Sequence, residues 1–235
     1  MEWITVPEKG FTLREVRTLT NRNVNLSEDL EKSVSAILEK VRDGGDAAIR
    51  ELTKKFDGVE LSDFRVTEEE MQEALAQVTP EFLEVLKEAK ANIETFHKEQ
   101  VRKSWTKNFR DGVELGEQFL PIQRVGVYVP GGRAAYPSTV LMDTVPALVA
   151  GCPSVAMTTP PGKDGKVNPN ILAAAYVAGV KEIYKVGGAQ GIAMLAYGTE
   201  SVEPVFKIVG PGNAFVAMAK RLVFGTVGID MIAGP

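Results

Sequence analysis

Residues 125–152 read VGVYVPGGRAAYPSTVLMDTVPALVAGC, and this stretch decides the fold. A short apolar run, Val125 to Val129, ends in the turn Pro130-Gly131-Gly132, and a helical pattern follows from about Ser138. The same order of strand, turn and helix returns three more times along the chain. The later units begin at SVAMTT (154–159) with PPGKDG, at EIYKV (182–186) with GGAQG, and at VFKIV (205–209) with GPGN.

Four successive units of this kind predict an α/β fold with a Rossmann-like, doubly wound parallel sheet. The turns that follow parallel strands meet at the carboxyl edge of the sheet, where open α/β folds bind ligands. We therefore expect the turns at 130–132, 187–191 and 210–213 to share one rim. Glycine at these turns suits either close approach to a phosphate or plain packing, and the residues alone leave both roles open. The sequence contains neither GxGxxG nor a P-loop pattern.

The part of the chain before this sheet has a different composition. Residues 1–124 carry 19 basic and 25 acidic side chains, whereas residues 125–235 carry 8 and 6, together with 16 of the 22 glycines. This shift predicts a boundary near residue 121. We expect a mainly helical N-terminal region at 1–120, as part of an incomplete first domain, and a Rossmann-like nucleotide-binding domain at 121–235.

Apolar spacing predicts four helices in the N-terminal region. Two short helices are expected on either side of Gly44-Gly45, a third opens with a capping box at Thr67–Glu70, and a long fourth runs from Pro80 to about Arg102. Strands are expected at 113–119 and 122–129. The predicted apolar face of the fourth helix comprises Phe82, Val85, Leu86, Ala89, Ile93 and Phe96. No sheet is evident before residue 113, so we expect these helix faces to be covered by a sheet encoded further along the gene or by a second copy of the chain.

Composition excludes several classes of function. One cysteine (Cys152) and one histidine (His97) allow no internal disulfide and no Cys/His zinc cage. The formal charge is −4, which provides no basic field for nucleic acid or for anionic lipid. No apolar run is long enough for a membrane span and the first residues lack a secretory pattern, so a cytoplasmic protein is expected.

Taken together, these segments resemble the histidinol dehydrogenase family nearly from end to end. The matching stretches are VGVYVPGGRAAYPSTVLMDTVPALVAGC, KVGGAQGIAMLAYGTESV, KIVGPGNAFVAMAKR, IDMIAGP, VRDGGDAAIRELTKKFDG and NIETFHKEQ. Long contiguous motifs of this kind are far more specific than a single glycine fingerprint.

The resemblance implies a function and a cofactor. Members of this family oxidise L-histidinol to L-histidine through the aldehyde in two NAD-dependent steps, with a bound zinc, at the end of histidine biosynthesis, and they are homodimers. The family contacts NAD at the tyrosine before PGG, the glutamine of GGAQ and the asparagine of GPGN. These positions correspond to Tyr128, Gln190 and Asn213.

The resemblance also implies what this chain leaves out. In the family, IDMIAGP continues into Ser-Glu and a second half that holds the zinc ligands, a Glu-His acid/base pair and most histidinol contacts. We therefore expect no catalytic residue and no metal ligand within this chain, and a fragment that is inactive alone. An intertwined or swapped homodimer is a further expectation.

Two other functions remain open from the sequence. The first is a non-catalytic nucleotide-binding or assembly protein that retains the fold. The second is an aldehyde or acyl-phosphate dehydrogenase, which would need a reactive cysteine at the carboxyl end of a strand. Cys152 precedes its strand and is expected to be a small buried residue. His97 is expected to be structural, with a role at a domain contact as the alternative.

Overall fold

The structure is a computed structural model that describes residues 10–12, 16, 28–131 and 135–232. Within these residues lie seven helices and seven strands. The helices are α1 (Glu28–Asp57), α2 (Glu68–Leu75), α3 (Pro80–Lys98), α4 (Pro137–Val149), α5 (Pro169–Ala178), α6 (Gly188–Tyr197) and α7 (Ala214–Val223). The strands are β1 (Trp105–Arg110), β2 (Val113–Glu117), β3 (Arg124–Tyr128), β4 (Ser154–Thr158), β5 (Glu182–Tyr184), β6 (Lys207–Val209) and β7 (Gly228–Ile229). No helix in this part of the chain is long and apolar enough to cross a membrane.

Five strands form the parallel sheet that the repeated units predict. Their order is β5-β4-β3-β6-β7, so the chain starts in the middle, moves outward to one edge and then crosses to the other side. All the pairs are parallel, and helices connect most of the strands. The doubly wound α/β class is thus confirmed. The last strand, β7, was not among the predicted strands; it has only two residues, too few for a periodic pattern.

The two helices predicted around Gly44-Gly45 are two halves of α1 joined at a kink. Gly45 has φ 50° and ψ −135°, which is far from helical geometry. Glu200 lies against this kink, and its carboxylate accepts a hydrogen bond from the Asp46 amide at 2.7 Å. The positive φ favours glycine at this position, and a Cβ there would lie 2.2 Å from the Glu200 carboxylate, which would have to move aside.

The apolar faces of the N-terminal helices are covered within the same chain. Helix α1 packs on α6 and α7 at one face of the sheet, and Ile49 and Leu52 share a core there with Ile192 and Met218. Helices α2 and α3 pack on α4 and α5 at the other face. For α1, the expectation that its apolar face awaits another sheet or a second copy is therefore wrong. Helices of the sheet domain bury this face of α1, and they bury Leu86 of α3, whereas Phe82, Ala89 and Ile93 are half-buried.

The segment before α2 also extends the sheet. Lys185 donates its backbone N–H to Phe64 O at 2.7 Å, and Val66 donates to Ile183 O at 2.8 Å, so residues 64–66 run antiparallel beside β5. The Lys185 ammonium reaches Glu70 of the Thr67 capping box at 2.7 Å. These bonds tie the predicted capping box directly to the sheet edge.

Two details of the predicted helix and strand pattern are wrong. Helix α3 ends at Lys98, and Val85 and Phe96 are 59% and 64% exposed, so they lie off the buried stripe. The predicted strand at 113–119 pairs with a strand that the sequence did not indicate, β1, in an antiparallel hairpin. The hairpin is exposed along nearly its whole length, and without a buried face β1 has no alternation of apolar and polar residues to detect.

At the amino edge of the sheet, Arg124 joins three strands. Its guanidinium donates to the Glu182 carboxylate at 2.9 and 2.7 Å and to Ser154 Oγ at 2.7 Å. Arg124 is only 8% exposed, and the Tyr184 hydroxyl donates to the same carboxylate at 3.1 Å. This arrangement raises the pKa of Arg124 and lowers the pKa of Glu182, because each group stabilises the other's charge.

We predict that Arg124→Met lowers the free energy of unfolding by about 2 kcal/mol, because it leaves the Glu182 carboxylate without its cation. Chemical denaturation at pH 7 measures this loss. Arg42→Met is the matched control, since Arg42 pairs with Asp43 on the exposed surface and its loss should leave the midpoint unchanged. Equal stability of the two variants would contradict the role assigned to Arg124.

Candidate functional site

An open cavity of about 370 Å³ lies at the carboxyl edge of the parallel sheet. The turns after β3, β5 and β6 contribute to its wall, as the sequence predicts, and the turn after β4 and two parts of α1 supply the remainder. The residues that line it are Ile37, Phe56, Asp57, Tyr128, Gly131, Pro160, Pro161, Gly188, Ala189, Gln190, Asn213 and Phe215. Tyr128, Gln190 and Asn213, which are up to 85 positions apart in the sequence, thus meet in one place.

Tyr128 is the last residue of β3 and is 4% exposed. Its hydroxyl oxygen accepts a hydrogen bond from the Gly188 amide at 3.1 Å, at the first residue of α6. Burial raises the pKa of this phenol to about 12, so the hydroxyl keeps its proton at physiological pH. Tyr128 therefore closes the N-terminus of α6 and retains a hydrogen that can be donated into the cavity.

Gln190 lies in the first turn of α6 and is 2% exposed. Its Nε2 is 3.5 Å from Asp57 Oδ2, at the far limit for a hydrogen bond. Burial raises the pKa of Asp57 to about 6. An amide and a half-buried carboxyl group thus lie side by side on the cavity wall.

Asn213 caps helix α7, with its Oδ1 accepting from the Phe215 and Val216 amides at 3.0 and 3.1 Å. The cap occupies the side-chain oxygen and leaves the Nδ2 hydrogens available. Unlike Gln190, Asn213 is exposed. Its position at the cavity wall and its capping bonds coexist, so one role does not exclude the other.

The glycines around the cavity make room for neighbouring protein atoms. A Cβ on Gly131 or Gly187 would lie 2.4 or 2.5 Å from the ring of Pro160, and one on Gly210 would lie 2.1 Å from Tyr128 O. Of the two roles that the sequence left open, tight packing accounts for these three positions. The Gly132 of the first turn lies outside the described residues.

A group of charged residues adjoins the same edge of the sheet. The Lys220 ammonium is 1% exposed, donates to Gly210 O at 2.8 Å and forms an ion pair with Asp230. Asp230 also accepts from the Gly210 amide at 3.0 Å, so the pair fixes the turn that precedes Asn213. Asp143 Oδ2 is buried beside them without a hydrogen-bond partner among the described residues. Burial and the charge of Asp230 raise the pKa of Asp143 to about 7.

Comparison with known proteins decides the family. The histidinol dehydrogenase family model matches residues 20–235. The chain belongs to the histidinol dehydrogenase family. The histidinol dehydrogenase of Geobacillus kaustophilus is 56% identical over 209 residues, which are 89% of this chain and 49% of that protein. The enzyme of Listeria innocua is 54% identical over 223 residues, covering 95% of this chain and 52% of that protein.

A solved structure agrees with the sequence matches. The crystal structure of histidinol dehydrogenase from Elizabethkingia anophelis superposes with a TM-score of 0.88 at 40% identity, over 96% of this chain and 52% of that chain. The chain thus spans about half the length of the histidinol dehydrogenases that it matches.

Sequence reasoning missed Asp57 and Phe56 as candidate site residues. Both stand in KKFDG, inside a stretch that resembles histidinol dehydrogenase, but they lie on a helix that precedes the sheet domain. The rule that places ligand residues in the turns after strands does not reach them. Only the packing of α1 against α6 brings its last residues to the rim.

His97, from a stretch shared with the histidinol dehydrogenases, lies away from the rim. Its Nδ1 is 2.6 Å from Gln100 Oε1, and its ring meets that of Phe96 edge-on. Cys152 is 7% exposed and precedes β4, and burial raises the pKa of its thiol. Within the described residues, no group of three or more His, Cys, Asp or Glu side chains could hold a metal ion, so the residues present do not fit a zinc site.

We predict that Asp143→Asn stabilises the protein at high pH. The folded-state pKa of about 7 exceeds the ordinary value of 3.8, so the folded chain binds an extra proton and its stability falls as the pH rises between these values. Asparagine removes this dependence. The variant should match the wild type near pH 4 and exceed its free energy of unfolding by at least about 1 kcal/mol at pH 8.

Denaturation at several pH values tests this, with Asp111→Asn in the exposed turn of the hairpin as the control for an identical chemical change. A constant difference between wild type and Asp143→Asn across the whole pH range would contradict the assignment.

Proposed function

We propose that this chain is the nucleotide-binding half of a histidinol dehydrogenase that oxidises L-histidinol to L-histidine through the aldehyde in two NAD-dependent steps. One observation carries the proposal. The three positions that the family resemblance assigns to NAD, Tyr128, Gln190 and Asn213, line the same cavity at the carboxyl edge of the sheet. We also propose the division into residues 1–120 and 121–235.

The residues at the rim have the chemistry that a nicotinamide nucleotide requires. The Tyr128 hydroxyl, held protonated by burial, and the Nδ2 group of Asn213 are hydrogen-bond donors. The Gln190 amide offers both a donor and an acceptor, and the half-exposed rings of Phe56 and Phe215 offer apolar faces. When bound, NAD accepts hydride from the carbon that is oxidised. The chain's own contribution is to bind and orient the nucleotide.

The remaining chemistry is zinc binding and proton transfer. We propose that the zinc ligands, the acid/base pair and most histidinol contacts belong to a polypeptide equivalent to the second half of the relatives. In this proposal the chain alone is inactive, and the complete enzyme is a cytoplasmic homodimer whose two copies are intertwined or swapped. Neither nucleic acid nor membrane is a partner in this proposal.

We predict that NAD binds to this chain and that Asn213→Ala and Asn213→Ser each raise its dissociation constant at least about tenfold. Alanine also removes the cap of α7 and costs about 1 kcal/mol of stability, whereas serine keeps a capping oxygen and removes only the amide. Isothermal titration calorimetry measures the affinity and thermal unfolding measures the stability.

Thr79→Ala, which removes the cap of α3 far from the rim, controls for cap loss as such. If serine preserved full affinity, Asn213 would act only as a cap. If neither the wild type nor any variant bound NAD, this chain would not be a nucleotide-binding unit on its own, and the proposal would fail.

Complementation separates an enzyme half from a non-catalytic assembly protein. We expect that mixing this chain with a separately produced second half of the Geobacillus relative restores histidinol-dependent formation of NADH, and that Asn213→Ser impairs it. A stable complex without turnover would favour the assembly role.

A further inference from the structure

A second cavity of about 490 Å³ shares part of its wall with the cavity at the rim. Asp57, Gly131, Pro160 and Pro161 line both cavities, so the Asp57 carboxyl group lies at their junction. The second cavity is more polar and includes Lys163, Lys166 and the N-terminal end of α5. A groove of two joined chambers suits a ligand made of two linked nucleosides.

Asp57 is an unusual residue for its position. It ends helix α1, where the negative end of the helix dipole disfavours a carboxylate. Within the described residues no salt bridge reaches it, and its side chain's hydrogen-bond partner there is the Gln190 amide at 3.5 Å. Burial alone raises its pKa to about 6. A carboxylate with so few protein partners can accept further hydrogen bonds from a ligand.

The sheet itself lacks the acidic residue that dinucleotide sites of this architecture use. In such folds an Asp or Glu near the end of the second strand accepts hydrogen bonds from the ribose hydroxyls and disfavours a 2′-phosphate. Here β4 is followed by Thr159 and Pro160, and neither carries a carboxylate. Asp57, which adjoins Pro160 across the cavity wall, brings a carboxylate to the same edge from a different element.

We propose that Asp57 determines the choice between the two nicotinamide dinucleotides: its carboxylate accepts hydrogen bonds from the ribose hydroxyls of NAD and repels the 2′-phosphate of NADP. This inference rests on the proposed function, because it concerns the same nucleotide at the same rim. The discrimination is electrostatic, since a carboxylate and a phosphate in one half-buried cavity repel each other with little screening by solvent.

The experiment measures the dissociation constants of NAD and NADP by calorimetry for this chain at pH 8, where the Asp57 carboxyl group is ionised. Two variants separate the two parts of the proposal. Asp57→Asn removes the charge and keeps the shape, so NADP should bind at least about tenfold more tightly than to the wild type. Asp57→Ala also removes the acceptor, so NAD should bind at least about tenfold more weakly.

Asp164→Asn is the matched control, since Asp164 lines only the second chamber and the substitution removes the same charge. It should leave the ratio of the two constants unchanged. Binding of NAD by the wild type with an unaltered NAD-to-NADP ratio in Asp57→Asn would overturn the role of Asp57 and leave the proposed function intact. An equal change in Asp164→Asn would also overturn it, because the effect would then belong to the charge of the groove as a whole. Binding of neither dinucleotide by the wild type would overturn both proposals.

Discussion

The packing of helix α1 against α6 is the contact on which the candidate site depends. The apolar stripe of α1, including Ile49 and Leu52, shares one core with Ile192 and Leu195. Burial of this surface stabilises the fold by about 25 cal/mol for each Å² of apolar surface removed from water. Because α1 packs on the sheet domain through this stripe, the position of its C-terminal end is fixed as well. That end carries Phe56 and Asp57 to the rim, so the hydrophobic core under α1 sets the position of the one carboxyl group that lines the cavity among the described residues.

The rim shows how structural and binding roles can share the same side chains. Tyr128 accepts the amide at the start of α6 and Asn213 accepts those at the start of α7, so both satisfy helix donors that would otherwise lack partners. Each retains hydrogen atoms that the cap does not use. Because the caps hold these side chains in place before a ligand arrives, little conformational entropy would remain to be lost on binding.

The sequence was sufficient for the parts of the fold that depend on local patterns. The apolar runs and glycine turns predict β3, β4, β5 and β6 in the correct class of sheet, and the Thr67 capping box is present as expected. What it could not supply depends on contacts between distant segments. The exposed strand β1 and the two-residue β7 have no periodic signal. The packing of α1 on α6 joins two helices that lie 130 or more residues apart, and no local pattern indicates such a contact. The same reason hid Asp57, whose neighbour at the rim, Gln190, follows it by 133 positions.

The side chains at the rim differ in whether they gain or lose a proton near physiological pH, and this difference bears on which step of a dehydrogenase reaction they could serve. Burial raises the pKa of Tyr128 to about 12 and the amides of Gln190 and Asn213 do not titrate, so these three keep one protonation state across the physiological range. A hydride transfer also needs a group that takes the proton of the alcohol, with a pKa near the working pH. Tyr128 and the two amides cannot do this, so these three positions are suited to orienting a nucleotide and not to taking a proton. Because binding at these three positions would then be insensitive to pH, a pH dependence of nucleotide affinity in this chain should arise from the two carboxyl groups at this edge whose pKa values are raised, Asp57 and Asp143.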